Sequence, residues 1–335
     1  MMRLPWFELR APRSLAEAAK ILAGEGPQAM LLAGGTDLIP NMKRRHQTPK
    51  VLVSLRGVQE LRRSNGSLGA GVTLTGIASD RALRERQRAL WQAASLVATP
   101  HLRNMATLGG NLCLDTRCTY YNQSHEWRQA IDFCLKKDGE TCWVATASKR
   151  CVAVSSTDTA PALIALGATV TLVSAQGERE LALADLYRND GIDYLSRRPD
   201  EILAAVRVPE GWSSSYWKLR RRGSFDFPVL GVAVAIRRDG DGPVAEARIA
   251  LGAAASRPFL VEKAGEFLKG KRLTDEVIAE AAGLVASRAK PMDNTDLDLY
   301  WRKDVAAAFA GYALREARGD DMREMRTRIA RQALA

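Results

Sequence analysis

Most of this 335-residue chain lacks cysteine, long apolar runs and grouped histidines. No stretch approaches the roughly 20 apolar residues that a membrane-crossing helix needs, so a membrane protein is not expected. The three histidines, His46, His101 and His125, have no paired carboxylate or nucleophile, and no H-E-x-x-H motif occurs. Neither a hydrolytic triad nor a zinc peptidase is therefore predicted.

Aromatic residues are also scarce, at 6%, and they do not interleave with the basic residues in a stripe. Nucleic-acid binding is therefore not expected despite a net charge of +11. The scattered basic residues are interpreted as solvated surface plus a docking face for an acidic partner. Glu8, Arg10 and Arg13 interrupt any apolar core of a signal peptide, so a cytoplasmic location is expected.

What the chain does contain is one group of five cysteines within 39 residues: Cys113, Cys118, Cys134, Cys142 and Cys151. Thiols grouped in this way usually hold metal or form disulfides, and a reducing cytoplasm favours metal. The spacing Cys118-x15-Cys134-x7-Cys142-x8-Cys151 has no C-x-x-C pair, which most zinc sites and simple ferredoxins show. The spacing alone leaves zinc, an iron–sulfur cluster and reduced thiols open.

Short strands and helices follow one another without regular βαβ alternation, which predicts an α+β fold. Ser14 is expected to cap the first helix, with Glu17 three residues later. Strands are predicted at 28–32, 51–55, 68–72, 169–173, 215–219, 229–237 and 244–252. Helices are predicted at 14–23, 74–98, 163–166, 260–268, 275–289 and 301–316.

Composition divides the chain into two domains joined by a linker near 209–215. The first is predicted over 1–212, with subdomains 1–57 and 58–212 and a cysteine-bearing insert over 114–153. The second is predicted over 213–318, with three strands followed by helices. A charged tail over 319–335 is expected to be mobile or used for docking.

Two glycine turns stand at 31–38 (LLAGGTDL) and 107–111 (TLGGN). Glycine lets backbone N–H groups approach phosphate oxygens, although many such turns only reverse the chain. Neither turn fits G-x-G-x-x-G or the P-loop, which argues against both of those nucleotide folds. A diphosphate cofactor such as FAD could be held by two separate loops.

These turns, with GAGVTL (69–74) and SSTDTAPALIALGA (155–168), resemble the FAD-binding subunit of the xanthine dehydrogenase and carbon-monoxide dehydrogenase family. These are molybdenum hydroxylases, and the resemblance covers nearly the whole chain. It implies a two-subdomain FAD-binding domain followed by a smaller flavoprotein domain over about 216–317. The insert, above all DTRCTYYNQSHEWR, is similar to that of the 4-hydroxybenzoyl-CoA reductase branch, where it carries a 4Fe–4S cluster.

The resemblance also implies site residues. It assigns the cluster to Cys118, Cys134, Cys142 and Cys151, while Cys113 is interpreted as a packed thiol. Asp226 and Phe227 are expected to approach the flavin. Without the resemblance, Asp158 would be a helix cap and Lys218 a surface lysine. The implied FAD contacts are Leu31, Leu32, Ala33, Gly34, Gly35, Thr36, Asp37, Leu38, Val97, Ala106, Thr107, Leu108, Gly109, Gly110, Asn111, Asp158 and Lys218.

Further residues of the insert allow two interpretations. The cations Lys136, Lys137, Lys149 and Arg150 could offset the charge of a tetrathiolate cluster, or could keep an exposed insert soluble. The aromatic residues of the insert, Tyr120, Tyr121 and Trp127, are expected to form its small core.

The function implied by the resemblance is electron transfer, with no catalytic acid or base in this chain. A ferredoxin would donate electrons to the 4Fe–4S cluster, and FAD would pass them to a small 2Fe–2S subunit and a large molybdenum-cofactor subunit, in a dimer of heterotrimers. The implied reaction is reductive dehydroxylation of 4-hydroxybenzoyl-CoA on the large subunit. Two alternatives stand: another molybdenum hydroxylase acting on an aromatic or N-heterocyclic substrate, and a zinc-stabilised binding protein.

Overall fold

A computed structural model of the chain describes residues 3–62 and 66–331. The N-terminal subdomain is a parallel three-stranded sheet of order β1-β3-β2. Helix α1 begins after the predicted cap, because the Ser14 hydroxyl accepts a 3.2 Å hydrogen bond from the Glu17 N–H. The buried face of this helix packs on the sheet through Ala18, Ala19 and Leu22. The elements are β1 (Glu8–Arg10), α1 (Leu15–Glu25), β2 (Ala29–Leu32), α2 (Leu38–Lys43) and β3 (Val51–Ser54).

The second subdomain contains an antiparallel sheet of order β4-β7-β5-β6 with helices packed around it. Helix α9 is buried along its whole length, and residues from it form much of the main core. The strands are β4 (Leu68–Gly69), β5 (Thr169–Ser174), β6 (Gly177–Ala182) and β7 (Ile202–Arg207). The helices are α3 (Leu74–Ser79), α4 (Arg81–Arg86), α5 (Arg88–Leu96), α6 (Pro100–Arg103), α7 (Leu108–Leu112) and α9 (Thr159–Leu166), and α8 belongs to the insert.

Two sequence predictions in this subdomain are wrong in extent. The strand predicted at 68–72 is only two residues long, because the chain turns there and the Gly71 N–H bonds the Leu61 carbonyl. The single helix predicted at 74–98 is three helices. Asp80 interrupts it, since its carboxylate accepts hydrogen bonds from the N–H groups of Ala82 and Leu83 and starts a new helix. Strands β6 and β7 were not predicted.

The insert is a loop closed at its base and is mostly irregular. Its two ends are joined by backbone hydrogen bonds between Arg117 and Val154, which run in both directions. Its one helix among the described residues is α8 (His125–Ala130), capped by the Ser124 hydroxyl. Because the base is closed, the segment that begins at Cys118 and the segment that ends at Val154 lie side by side.

The C-terminal domain is an antiparallel sheet of order β11-β10-β9-β8 covered by helices. The sheet contains a short fourth strand in addition to the three predicted ones. Residues 259–260, where a helix is predicted to begin, pair with β10 instead. The strands are β8 (Ser213–Leu219), β9 (Leu230–Arg238), β10 (Val244–Gly252) and β11 (Phe259–Leu260). The helices are α10 (Glu262–Leu268), α11 (Asp275–Arg288), α12 (Leu299–Arg318) and α13 (Arg323–Arg331).

The tail expected to be mobile or used for docking is helical and packed on its own domain as far as residue 331. In α13 the Arg326 guanidinium lies 4.1 Å from the ring centroid of Trp217 and pairs with the buried carboxylate of Glu316. Along 3–62 and 66–331, no helix is both long enough and apolar enough to cross a membrane.

Candidate functional site

A cavity of about 1110 Å³ lies where the two N-terminal subdomains meet the insert and the C-terminal domain. Its volume is slightly above the roughly 300–1,000 Å³ that small-molecule sites span, which suits a large cofactor. Both glycine turns lie on its wall. The predicted turns, 70 residues apart in sequence, are therefore brought to one site.

The first turn connects β2 to α2 and needs glycine for two reasons. Gly35 has a φ of +72°, in the left-handed region that other residues rarely adopt. A side chain on Gly34 would overlap the carbonyl oxygen of Met105. The first turn therefore packs directly on the backbone that leads into the second.

The second turn opens helix α7 and is attached to the chain at 70–74. Thr107 caps the helix, since its hydroxyl accepts a 3.1 Å hydrogen bond from the Gly110 N–H. The Gly109 N–H donates to the Ala70 carbonyl at 2.8 Å, and a Cβ on Gly109 would lie 2.7 Å from the Ala70 Cβ. The close backbone approach that requires glycine here is thus to Ala70 of the protein.

The predicted contacts separate into two groups. Leu32 and Leu108 are not among the described residues that line the cavity, and Leu108 is buried in the main core. Lys218 lies one layer behind the wall. The cavity is lined by Leu31, Ala33, Gly34, Gly35, Thr36, Asp37, Leu38, Val97, Ala106, Thr107, Gly109, Gly110, Asn111, Asp158, Asp226 and Phe227.

Asp158, in this wall, forms a buried ion pair with Lys218 behind it. The Lys218 ammonium donates to the Asp158 carboxylate at 2.9 Å, and the Tyr216 hydroxyl donates to its other oxygen at 2.8 Å. Burial raises the pKa of Asp158 and lowers the pKa of Lys218, and the ion pair opposes both shifts. Lys218 is therefore not the surface lysine that its sequence context suggests, and Asp158 makes no helix-capping hydrogen bond.

The four cysteines assigned to the cluster are all buried, with 4–7% of each residue exposed. Three of them form the centre of a small apolar group with Tyr121 and Ala153, and Tyr120 packs beside it. Trp127, expected in this core, is 40% exposed. All five cysteines of the chain are free thiols.

The thiols lie close enough to influence one another. Burial, aided by the neighbouring Cys134 and Cys142 and opposed by backbone hydrogen bonds, raises the pKa of Cys118 to about 11. Burial likewise raises the pKa of Cys151 to about 12, and its sulfur accepts a 3.4 Å hydrogen bond from the Ala153 N–H. Buried thiols of this kind are poor nucleophiles, and as thiolates they would need a compensating positive charge.

The remaining thiol, Cys113, lies at the edge of the cavity and packs against the main core. Burial raises its pKa. Within the part of the chain that the structure describes, no three His, Cys, Asp or Glu side chains are grouped tightly enough to hold a single metal ion.

The insert is connected to all surrounding parts of the molecule. The buried guanidinium of Arg117 pairs with Asp37 of the first glycine turn and donates to Asn41 Oδ1 at 3.0 Å. From the C-terminal domain, Asn294 accepts the Thr119 N–H at 3.0 Å through its carbonyl and donates to the Val152 carbonyl at 2.6 Å through its side chain. Asn294 therefore joins the segments that follow Cys118 and Cys151.

Sequence reasoning missed several residues of the cavity wall. Asp115, Tyr194 and Arg197 come from irregular segments that have no period or glycine signature. The one available signal was the position of Asp115 in the DTRC motif beside the cysteines. Tyr194 and Arg197 lie in a loop that only tertiary packing brings to the cavity, so no sequence pattern indicates them.

Comparison with known proteins gives matches over most of the chain. A family model described as the FAD-binding domain in molybdopterin dehydrogenase matches residues 5–211, and one described as the CO dehydrogenase flavoprotein C-terminal domain matches residues 214–317. The aldehyde oxidoreductase FAD-binding subunit PaoB of Escherichia coli (strain K12) is 32% identical, over 88% of this chain and 94% of its own length.

Two further matches support the same relationship. The carbon monoxide dehydrogenase medium chain of Hydrogenophaga pseudoflava is 29% identical, over 93% of this chain and 96% of that protein. The solved structure of reconstituted CO dehydrogenase from Oligotropha carboxidovorans superposes with a TM-score of 0.76 at 26% identity, covering 94% of this chain and 99% of that one.

Proposed function

The chain belongs to the family of FAD-binding subunits of molybdopterin dehydrogenases, and from this membership we propose that it is the electron-transfer subunit of a 4-hydroxybenzoyl-CoA reductase-like complex. The observation that carries the finer part of the proposal is the set of four buried, mutually neighbouring cysteines beside the cavity. A flavoprotein subunit that only delivers electrons outward from FAD has no need of such a set.

In this proposal the cavity holds FAD, and the two glycine turns hold its diphosphate. In the first turn, glycine leaves no side chain between the backbone N–H groups and the cavity. The N–H groups of Gly109 and Gly110 in the second turn already donate within the protein, so this turn would contribute its shape and its side chains. Asn111 is held in place because its side-chain oxygen accepts hydrogen bonds from the hydroxyls of Thr157 and Thr159, at 2.9 and 2.6 Å. Lys218, behind the wall, holds the Asp158 carboxylate in place through their ion pair.

The four cysteines would hold the 4Fe–4S cluster. Their burial, free thiols and backbone hydrogen bonds to sulfur suit cluster ligands, since iron supplies the positive charge that a buried thiolate requires. When bound, the cluster carries single electrons and FAD carries one or two. The residues of this chain hold both groups, exclude water and set the charge around them.

A ferredoxin is the proposed donor, and a basic groove beside the insert supports an acidic partner. This groove is lined by five cationic side chains but only two acidic ones, Glu126 and Asp138. Complementary charge would steer a small acidic carrier to this face. The cationic residues are Arg3, Lys43, Arg44, Arg45 and Lys137.

The remaining partners of the proposal are a large molybdenum-cofactor subunit and a small 2Fe–2S subunit, assembled as a dimer of heterotrimers. The relatives are named as FAD-binding subunits and medium chains, which supports partner chains of this kind. Dehydroxylation of the substrate would take place on the large subunit.

A second candidate is the flavin subunit of another molybdenum hydroxylase, with electrons leaving through FAD. The names of the relatives favour it, because they include an aldehyde oxidoreductase, a nicotinate dehydrogenase and carbon monoxide dehydrogenases. Flavoprotein family membership leaves the zinc-stabilised binding protein without support.

Anaerobic purification with iron, sulfide and flavin assays distinguishes the candidates. We expect one FAD with about four iron and four sulfide per chain. Flavin without iron would support the second candidate and refute the reductase-like function. Absence of both, in protein shown by circular dichroism to be folded, would refute both.

A further inference from the structure

Four cations stand between Cys134 and Cys151 in sequence, and their burial differs. Lys149 and Arg150 are exposed, and Lys137 is partly exposed and pairs with Asp138 at 3.0 Å. Lys136 differs, because 7% of its side chain is exposed and its ammonium forms an ion pair of 2.8 Å with Asp115, itself 6% exposed. A role in solubility therefore accounts for the exposed or partly exposed cations, whereas the buried Lys136 needs another explanation.

The Lys136 ammonium donates two further hydrogen bonds besides its ion pair with Asp115. It donates to the Gly191 carbonyl at 2.5 Å and to the Thr116 hydroxyl at 2.7 Å. Gly191 is in direct contact with the cysteine group, since a Cβ on it would lie 2.6 Å from the sulfur of Cys151. One glycine thus separates the buried positive charge from a proposed ligand.

The Asp115 carboxylate, at the other end of the ion pair, belongs to the cavity wall. It lines the cavity proposed to hold FAD. Its second oxygen accepts hydrogen bonds from the Tyr121 hydroxyl at 2.9 Å and the Gln47 amide at 3.0 Å, which hold it in place. The buried pair therefore places its positive charge one glycine away from Cys151 and its negative charge on a residue of the cavity wall.

We infer that the Lys136–Asp115 pair is an electrostatic tuning element for both redox groups, raising the reduction potential of the one held by the four cysteines and lowering that of the one held in the cavity. The inference rests on the proposed function. A buried cation favours the more negative, reduced form of a cluster, and a buried anion disfavours reduction of a flavin. Low solvent exposure keeps both effects from being screened.

The variant Asp115→Asn/Lys136→Gln tests this without leaving an unpaired buried charge, and its amides keep hydrogen-bonding groups at both positions. The matched control is Lys137→Gln/Asp138→Asn, which removes a neighbouring, partly exposed Lys–Asp pair. Each protein is purified anaerobically as the full complex. Its iron–sulfur and flavin potentials are then measured by titrations followed by electron paramagnetic resonance and absorbance.

We expect the cluster potential of the first variant to fall, with at least a tenfold change in the ratio of oxidised to reduced cluster, about 59 mV for a one-electron couple. The flavin potential is expected to rise. The control is expected to change either ratio by less than threefold.

Unchanged potentials, or shifts of both in the same direction, would overturn the inference while leaving the proposed function intact. Loss of iron from the first variant alone would show a structural role and also overturn it. Wild-type complex without iron would refute the proposed function itself, and the inference with it.

Discussion

His46 connects the N-terminal subdomain to the insert through a buried ring. Its imidazole stacks on Tyr121 with ring centroids 4.1 Å apart, and its Nε2 lies 3.4 Å from the Gln123 carbonyl. Burial, followed by the positive charge of Arg128, lowers the pKa of His46 to about 4 from its usual 6.5. The folded chain therefore disfavours a proton that the unfolded chain binds readily.

This shift predicts a loss of stability in mild acid. Because the folded pKa lies below the unfolded one, the contribution of neutral His46 is complete above about pH 6.5 and is lost as the pH falls toward 4. Between pH 7 and pH 5 the wild-type free energy of unfolding is expected to fall by roughly 2 kcal/mol more than that of His46→Gln. Urea unfolding at both pH values measures this difference.

The exposed His101 supplies the control, and His101→Gln is expected to keep the wild-type dependence on pH. An equal loss of stability in wild type and His46→Gln would show that His46 is not the titrating group.

At the scale of elements, the packing of α7 on the chain at 70–74 determines the shape of the second glycine turn. Besides the Gly109 bond, the Leu108 N–H donates to the Val72 carbonyl at 2.9 Å, and the Leu74 N–H donates to the Ala106 carbonyl at 2.9 Å. The turn is thus held by main-chain hydrogen bonds on both sides of Thr107. Its geometry depends on the absence of a side chain at Gly109.

Gly109→Ala is expected to lower the free energy of unfolding by about 1–3 kcal/mol through overpacking against Ala70. It is also expected to weaken FAD retention, because α7 moves away from the 70–74 segment. Ala70→Gly/Gly109→Ala removes the atom that the new Cβ would meet and is expected to recover part of both losses. Thermal unfolding and flavin fluorescence after gel filtration measure them.

Gly283→Ala serves as a control, because the position lies in α11 with no neighbouring atom within 4 Å of a Cβ. It is expected to be neutral or slightly stabilising. A double variant no better than Gly109→Ala would contradict the Ala70 contact as the cause.

At the scale of the whole molecule, the insert packs against three other parts of the chain while its cysteines remain outside the cavity wall. Arg117 reaches the first glycine turn, and Asn294 reaches back from the C-terminal domain. None of Cys118, Cys134, Cys142 and Cys151 is among the described residues that line the cavity. The two proposed cofactor sites are therefore adjacent but built from different side chains.

Cys134→Ala is accordingly expected to lose most of its iron and to keep FAD. Its flavin is expected to be reduced by dithionite but not by reduced ferredoxin, since the proposed entry point is gone. Cys113→Ala removes a thiol outside the proposed ligand set and is expected to keep wild-type iron. Iron assay and absorbance spectra provide the measurement, and joint loss of iron and FAD from Cys134→Ala would contradict separable sites.

Local signals in the sequence determined much of this molecule. The Ser14 cap, the strand over 244–252 and the two glycine turns depend on neighbours only a few residues away, so they could be read directly. The motif resemblance likewise identified the family, which the comparisons confirm. The grouping of the cysteines also required no structure.

Tertiary packing decided the rest, because burial depends on residues far apart in the chain. Sequence context makes Lys218 look like a surface lysine and leaves the role of Lys136 open, yet each is buried against a carboxylate supplied from at least 20 residues away. The close approach at Gly109 is to a residue 39 positions earlier. Long-range contacts of this kind leave no local pattern, so only the folded chain reveals which charges lie between the two proposed redox sites.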